Sequence, residues 1–165
     1  QGISVEKCLQ YLGLAEYDGV SGLRLRRAAV LLFGKHSDKW HPRSQVRILK
    51  VNGTKIGSGV DYNITSDSTV KSSIIRLIDE SWDALRPHLV QTRFQEDARF
   101  RTTYIYPEVA CREALVNSIA HRDYSEEGRG VETIIVIRWN RIDVKNPGAL
   151  LSSISLSDIR SLSHL

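Results

Sequence analysis

Methionine is absent from the 165 residues, and the chain begins at Gln1. That start, together with a last stretch, "LSDIRSLSHL", that reads as a helix cut short, predicts a fragment of a longer protein. No apolar run approaches the roughly 20 residues needed to cross a bilayer, and the charged, apolar and small-residue zones of a signal peptide are missing. A cytoplasmic protein without a membrane partner is expected. Cysteine is scarce: Cys8 and Cys111 lie far apart, form no C-x-x-C pair, and are expected as reduced thiols rather than a disulfide or zinc ligands. The phosphate-loop pattern G-x-x-x-x-G-K-[ST] does not occur, and the glycines from Gly53 to Gly59 are too sparse to replace it. His36 and His41, five apart beside Trp40 and Pro42, lack the helical spacing of a metal-hydrolase pair. No internal repeat or low-complexity tract is visible.

What remains is ordinary globular material, 41% hydrophobic and 25% charged, long enough for one domain or for a domain with a smaller lobe. Charge is unevenly spread. Residues 22–50 carry Arg24, Arg26, Arg27, Lys35, Lys39, Arg43, Arg47 and Lys50 against Asp38, a net +7 in a chain of net +4. This stretch is either a solvated basic face or a surface for a phosphate-bearing partner.

"SVEKCLQYLGL" has helical spacing at Val5, Cys8, Leu9 and Leu12, with Ser4 as a cap and Gly13 near the end. "YDGVSG" is turn chemistry, and "LRLRRAAVLLFGK" predicts a helix of about three turns ended by Gly34. "SQVRILKVNG" predicts a strand between Pro42 and Gly53. Val70, Ile74, Leu77, Ile78, Trp82, Leu85 and Leu89 predict a long helix, capped at Ser66, Asp67 or Ser68 and closed near Pro87. Residues 90–105 are mixed, with an extended tendency near "RTTYIY". Pro107 and Glu108 open a further helix reaching about residue 121. "VETIIVIRW" and "RIDVKN" predict a hairpin whose first strand is covered on both faces, followed by "NPGALL" and a new helix.

On the helix from 107 to 121, Glu113, Asn117 and His121 fall within about 80° of one another, with Ala110 and Ala114 in the same sector. Val109, Leu115, Val116 and Ile119 are expected on the opposite, apolar side. A carboxylate and an amide four residues apart can hold a hydrated magnesium ion and orient or deprotonate a water. A plain solvent-facing stripe has the same spacing.

"YPEVACREALVNSIAHRDYS", followed by "IIVIRWNRIDVKNPGAL", resembles the C-terminal region of bacterial and archaeal proteins labelled RecG-like helicases or transcriptional regulators, which usually carry an N-terminal AlbA-like, Schlafen-type domain. "LRRAAVLLFGKHSDKWHPRSQVRILKVNGT" resembles the segment joining the halves of that family. Its C-terminal region is in turn similar to the GHKL ATPases, such as DNA gyrase B, MutL and histidine kinases. The resemblance implies a nucleotide site for ATP and Mg2+, with Asn117 as magnesium ligand and Glu113 as the general base that activates water. His121 is a further phosphate-contact candidate. The superfamily's Asp-x-Gly-x-Gly falls on "NPGAL": Asn146 stands where aspartate is expected, Gly148 matches the first glycine, and Leu150 replaces the second. Asn146 can offer a carbonyl to an adenine amino group, but without charge. Arg122 and Asp123 are open between a structural and a ligand-contacting role, and Tyr124 is expected to pack.

The expected fold is α/β, of the α+β kind. It is a two-layer, GHKL-like sandwich with a mixed, mainly antiparallel sheet and helices on one face. Residues 1–60 are expected as a basic lobe leading to a missing N-terminal domain, and residues 61–165 as the GHKL-like domain, truncated at its C-terminus. Two functions compete. One is an ATP-responsive regulatory module that closes or homodimerises on binding nucleotide. The other is a non-catalytic scaffold linking DNA-binding domains, with Arg24, Arg26 and Arg27 as candidate DNA contacts. A helicase motor is not expected, because the phosphate loop with its lysine and acidic magnesium partner is missing.

Overall fold

The computed structural model describes residues 2–94 and 100–148 as an α+β chain. Helix α1 (Val5–Tyr11) starts where Ser4 accepts a hydrogen bond from the Lys7 N–H at 3.3 Å. It leaves through Gly13, whose φ of 67° favours a residue without a side chain. A hairpin of β1 (Ala15–Asp18) and β2 (Gly22–Leu25) follows, its turn held by Asp18, which accepts from the Val20 N–H and the Ser21 hydroxyl. The three-turn helix expected over 23–35 is therefore shorter. The hairpin takes its first residues, and α2 spans Arg27–Phe33 with Gly34 at its C-cap.

Strands β3 (Gln45–Val51) and β4 (Ile64–Lys71) lead to helix α3 (Ile74–Leu85), which passes directly into a tight turn over Arg86–Leu89. Next come hairpin β5 (Val90–Phe94) and β6 (Phe100–Tyr104), helix α4 (Glu108–Ala120), and hairpin β7 (Thr133–Ile137) and β8 (Ile142–Lys145). Val70 and Ser66–Ser68, expected in or capping the long helix, lie in β4 instead, and Ser73 takes the N-cap position of α3.

The main sheet runs β4-β3-β7-β8 and is mixed: β3 pairs antiparallel with β4 and parallel with β7, and β7 pairs antiparallel with β8. Its inward face carries Val46, Ile48, Ile135 and Ile137. Against it pack Leu77, Trp82 and Leu85 from α3 and Leu115 and Ile119 from α4, each 6% exposed or less. Burying side chains of this size stabilises by about 1.5–3 kcal/mol each. A smaller cluster, Leu49, Val51 and Val136, lies in a separate group with Ile64 and Ile134. The boundary expected near residue 60 falls between β3 and β4, which are hydrogen-bonded neighbours. Residues 149–165, where a new helix is expected, lie outside the described range. Among the described residues no helix is long and apolar enough to cross a membrane.

Candidate nucleotide site

Helix α4 is positioned at both ends. Pro107 precedes it, and its carbonyl accepts from the Cys111 N–H at 3.0 Å; Glu108 in the first turn pairs with Arg86 at 3.2 Å. At the far end the His121 N–H donates to the Asn117 carbonyl at 2.9 Å. Between them Leu115, Ser118 and Ile119 are buried, while Glu113, Asn117 and His121 are exposed along one side. Val109 corrects the expected apolar back: four residues before Glu113, it belongs to the front and is 80% exposed. Glu113 borders an open groove of about 440 Å³, shared with Glu108, Val109, Arg112 and Val116.

Beyond β8 the Asn146-Pro147-Gly148 turn folds onto the C-terminal end of α4. The Pro147 carbonyl accepts from the Asp123 N–H at 2.7 Å, and Asn146 Nδ2 lies 3.4 Å from both the His121 and the Pro147 carbonyls. A Cβ on residue 148 would stand 3.1 Å from the His121 oxygen, so glycine permits this close approach. His121, Asn146 and Gly148 thus meet, with Asn117 one turn back along the same stripe. Glu113 lies about 12 Å along the axis from His121, given 1.5 Å per residue. The motif's fifth position, Leu150, lies outside the described residues. Because Asn146 directs its Nδ2 at carbonyls, its Oδ1 is the atom left for an amino donor.

The loop after α4 is organised by residues whose roles the sequence left open or did not mark. The buried Arg122 guanidinium donates to the carbonyls of Arg43 at 3.1 Å, Gly128 at 3.1 Å and Val131 at 2.5 Å, and stands 5.0 Å from the Tyr124 ring centre. Burial pulls its pKa down from the ordinary arginine value. Asp123 accepts from the Ser125 N–H at 2.8 Å, chiefly the contact that lowers its pKa, and Tyr124 donates its hydroxyl to the Ile119 carbonyl at 2.8 Å. All three are structural here. His41, which the sequence marked only as half of a poorly spaced pair with His36, lies beneath them with Nε2 3.2 Å from the Tyr124 carbonyl.

Arg24, Arg26 and Arg27 are exposed, and each faces a carboxylate: Asp18 at 3.9 Å, Glu16 at 3.5 Å and Glu126 at 2.7 Å. Cys8 is exposed and Cys111 partly buried, both as free thiols. No three His, Cys, Asp or Glu residues among those described stand close enough to hold a metal unaided. A magnesium ion on this surface fits only in the way that ion prefers, with one or two protein oxygens and the remainder from water and phosphate.

No family model matches the chain, and no curated protein is significantly similar to it. The fold is similar to the crystal structure of the DIP2311 protein from Corynebacterium diphtheriae, with 19% identity, a TM-score of 0.56 and 94% of this chain covered. The chain spans 24% of that protein's length. At that identity the likeness establishes a shared fold.

Proposed function

We propose that the chain is a GHKL-like, ATP-binding regulatory module of a RecG-related transcriptional regulator. One observation carries this reading: the Asn146–Gly148 turn docks on the end of α4, setting Asn146 and Gly148 beside the stripe of Glu113, Asn117 and His121. The mixed sheet with α3 and α4 on one face is compatible with a GHKL-like architecture. In this reading Asn117 offers its amide oxygen to magnesium, His121 faces phosphate, and the Asn146 carbonyl accepts from the adenine amino group. Glu113 orients or deprotonates water if the module hydrolyses. Bound ATP with Mg2+ supplies the phosphate charge and the metal that those side chains lack. Calorimetric titration with magnesium and a non-hydrolysable ATP analogue should give saturable heat that Asn117→Ala removes. A folded wild-type chain with no saturable heat would reject the nucleotide site.

A second reading, a non-catalytic scaffold between DNA-binding domains, draws on a different surface. Ile3, Val5, Leu9 and Leu12 with Val30 and Phe33 line an apolar groove of about 640 Å³, the kind of face that a partner domain covers. Any DNA contact by Arg24, Arg26 and Arg27 would have to compete with Asp18, Glu16 and Glu126. It predicts affinity that falls with salt and is lost on reversing those three charges. Salt-insensitive or absent DNA binding would exclude that contact.

A further inference from the structure

The inward row of β3 reads Val46, Ile48, Lys50: the first two are 0% and 1% exposed in the core, and the third is a lysine. A bulge between Lys50 and Val51 ends the regular pairing there, leaving Lys50 at the rim of the sheet. The rim opens into a pocket of about 680 Å³ at the N-terminal end of α4, away from the Asn146–Gly148 turn. That volume lies within the range of about 300–1,000 Å³ common to small-molecule sites.

The lining is chemically one-sided. Lys50 and Arg138 supply cationic groups, His88 adds an imidazole, and no Asp or Glu lines the pocket among the described residues. Carboxylates on the bordering elements are engaged: Glu108 with Arg86, Asp67 with Arg47, and Asp143 with Arg138 and Arg141. Lys50 and His88 form no ion pair among the described residues. Burial, and secondarily the charge of Lys50, hold the His88 pKa below the usual histidine value, which disfavours its protonated form in the free pocket. An anion beside both would favour the protonated imidazole and raise that pKa. Apolar side chains supply the wall, Tyr106 is fixed by its hydroxyl on the Arg138 carbonyl at 2.5 Å, and Trp139, 68% exposed, stands at the mouth. Asn52 and Gln91 add polar groups that can read a ring's edge.

We infer that this pocket is a second ligand site, for a small anion bearing a planar ring, of the nucleoside monophosphate class. The phosphate lies between Lys50 and His88 and the ring stacks on Trp139. The assignment is independent of the α4 site. Because every base has a π-face, the identity of the base is secondary.

The test is calorimetric titration of the chain with uridine 5′-monophosphate, uridine and inorganic phosphate in turn. Uridine monophosphate should saturate, with Lys50→Gln and Trp139→Ala each weakening it about tenfold, one through a charge-assisted contact and one through stacking. Uridine and phosphate alone should each bind more weakly by a similar factor. Asn117→Ala should leave this binding unchanged, which separates it from the α4 site. In NMR titration the His88 imidazole should gain a higher pKa when ligand is bound. Both substituted side chains are exposed, so circular dichroism should show an unchanged fold. No saturation by wild type, or undiminished binding by both Lys50→Gln and Trp139→Ala, would overturn the assignment.

Discussion

His41 and Arg122 form the polar centre beneath the loop that follows α4. His41 is 1% exposed, and because a carbonyl can only accept, its Nε2 carries the proton donated to Tyr124; Nδ1 has no partner among the described residues. Burial is the main cause holding His41 below the usual histidine pKa. The Tyr124 bond acts in the opposite sense, and Arg122, Arg129 and Arg27 reinforce burial. An unfolded histidine titrates near 6.5, so below that pH the unfolded chain binds more protons than the folded one. This contribution to stability is complete above about pH 6.5 and is lost as pH falls toward the folded pKa. Urea unfolding between pH 7.5 and 5 should therefore show declining stability, and His41→Gln should flatten part of that slope; His88, shifted the same way, retains the rest. An unchanged slope would remove His41 from the account. Arg122→Ala removes three hydrogen bonds, although the Arg43 and Gly128 carbonyls keep the N–H groups of Gln45 and Val131, and should cost about 2 kcal/mol or more in the same assay. Arg122→Lys should recover only part, since an ammonium lacks the flat face that the guanidinium sets over the Tyr124 ring.

At the scale of elements, α4 was legible because Leu115 and Ile119 repeat at helical spacing after Pro107, whereas the site's other half depends on where a turn lands. Nothing in "NPG" states that its proline carbonyl meets the Asp123 N–H, which is a tertiary contact. The misplacement of Val70 has a local cause. The inward side of β4 carries Ser66 and Ser68, so no apolar alternation announces a strand, and Val70 stands four residues before Ile74 as a helix would place it. Hairpin β5–β6 was obscured likewise, its register matching Thr92 with Thr102 and Arg93 with Arg101. The loop from α4 to β7 has a sharper requirement. A Cβ at Gly128 would lie 2.2 Å from the Asp123 carbonyl oxygen and 2.9 Å from its carbon, both backbone atoms. Gly128→Ala must displace that backbone and with it the carbonyl that Arg122 holds, so we expect a loss of about 2 kcal/mol or more. Amide shifts concentrated over 122–131 would locate the damage, and a thermal midpoint equal to wild type would refute it.

The whole molecule turns on β3. Its strand character was readable from Val46 and Ile48, but its parallel pairing with β7, Val46 opposite Thr133, joins segments far apart in sequence and leaves no local trace. That pairing makes residues 45–51 the interior of the sheet rather than part of a separable lobe. Cutting the chain at residue 60 would take from β4 its one sheet neighbour and from β7 its parallel partner. It would also remove Val46 and Ile48 from beneath Leu77, Trp82 and Leu85. Losing two fully buried aliphatic side chains alone costs about 4 kcal/mol or more, a large share of the 5–15 kcal/mol that holds a domain together, before the lost ladder hydrogen bonds are counted. Residues 61–165 alone should therefore give a poorly dispersed amide spectrum and no cooperative thermal transition, while residues 1–60 added in trans restore both. A fragment 61–165 that folds cooperatively without the added segment would mean that the sheet does not depend on β3.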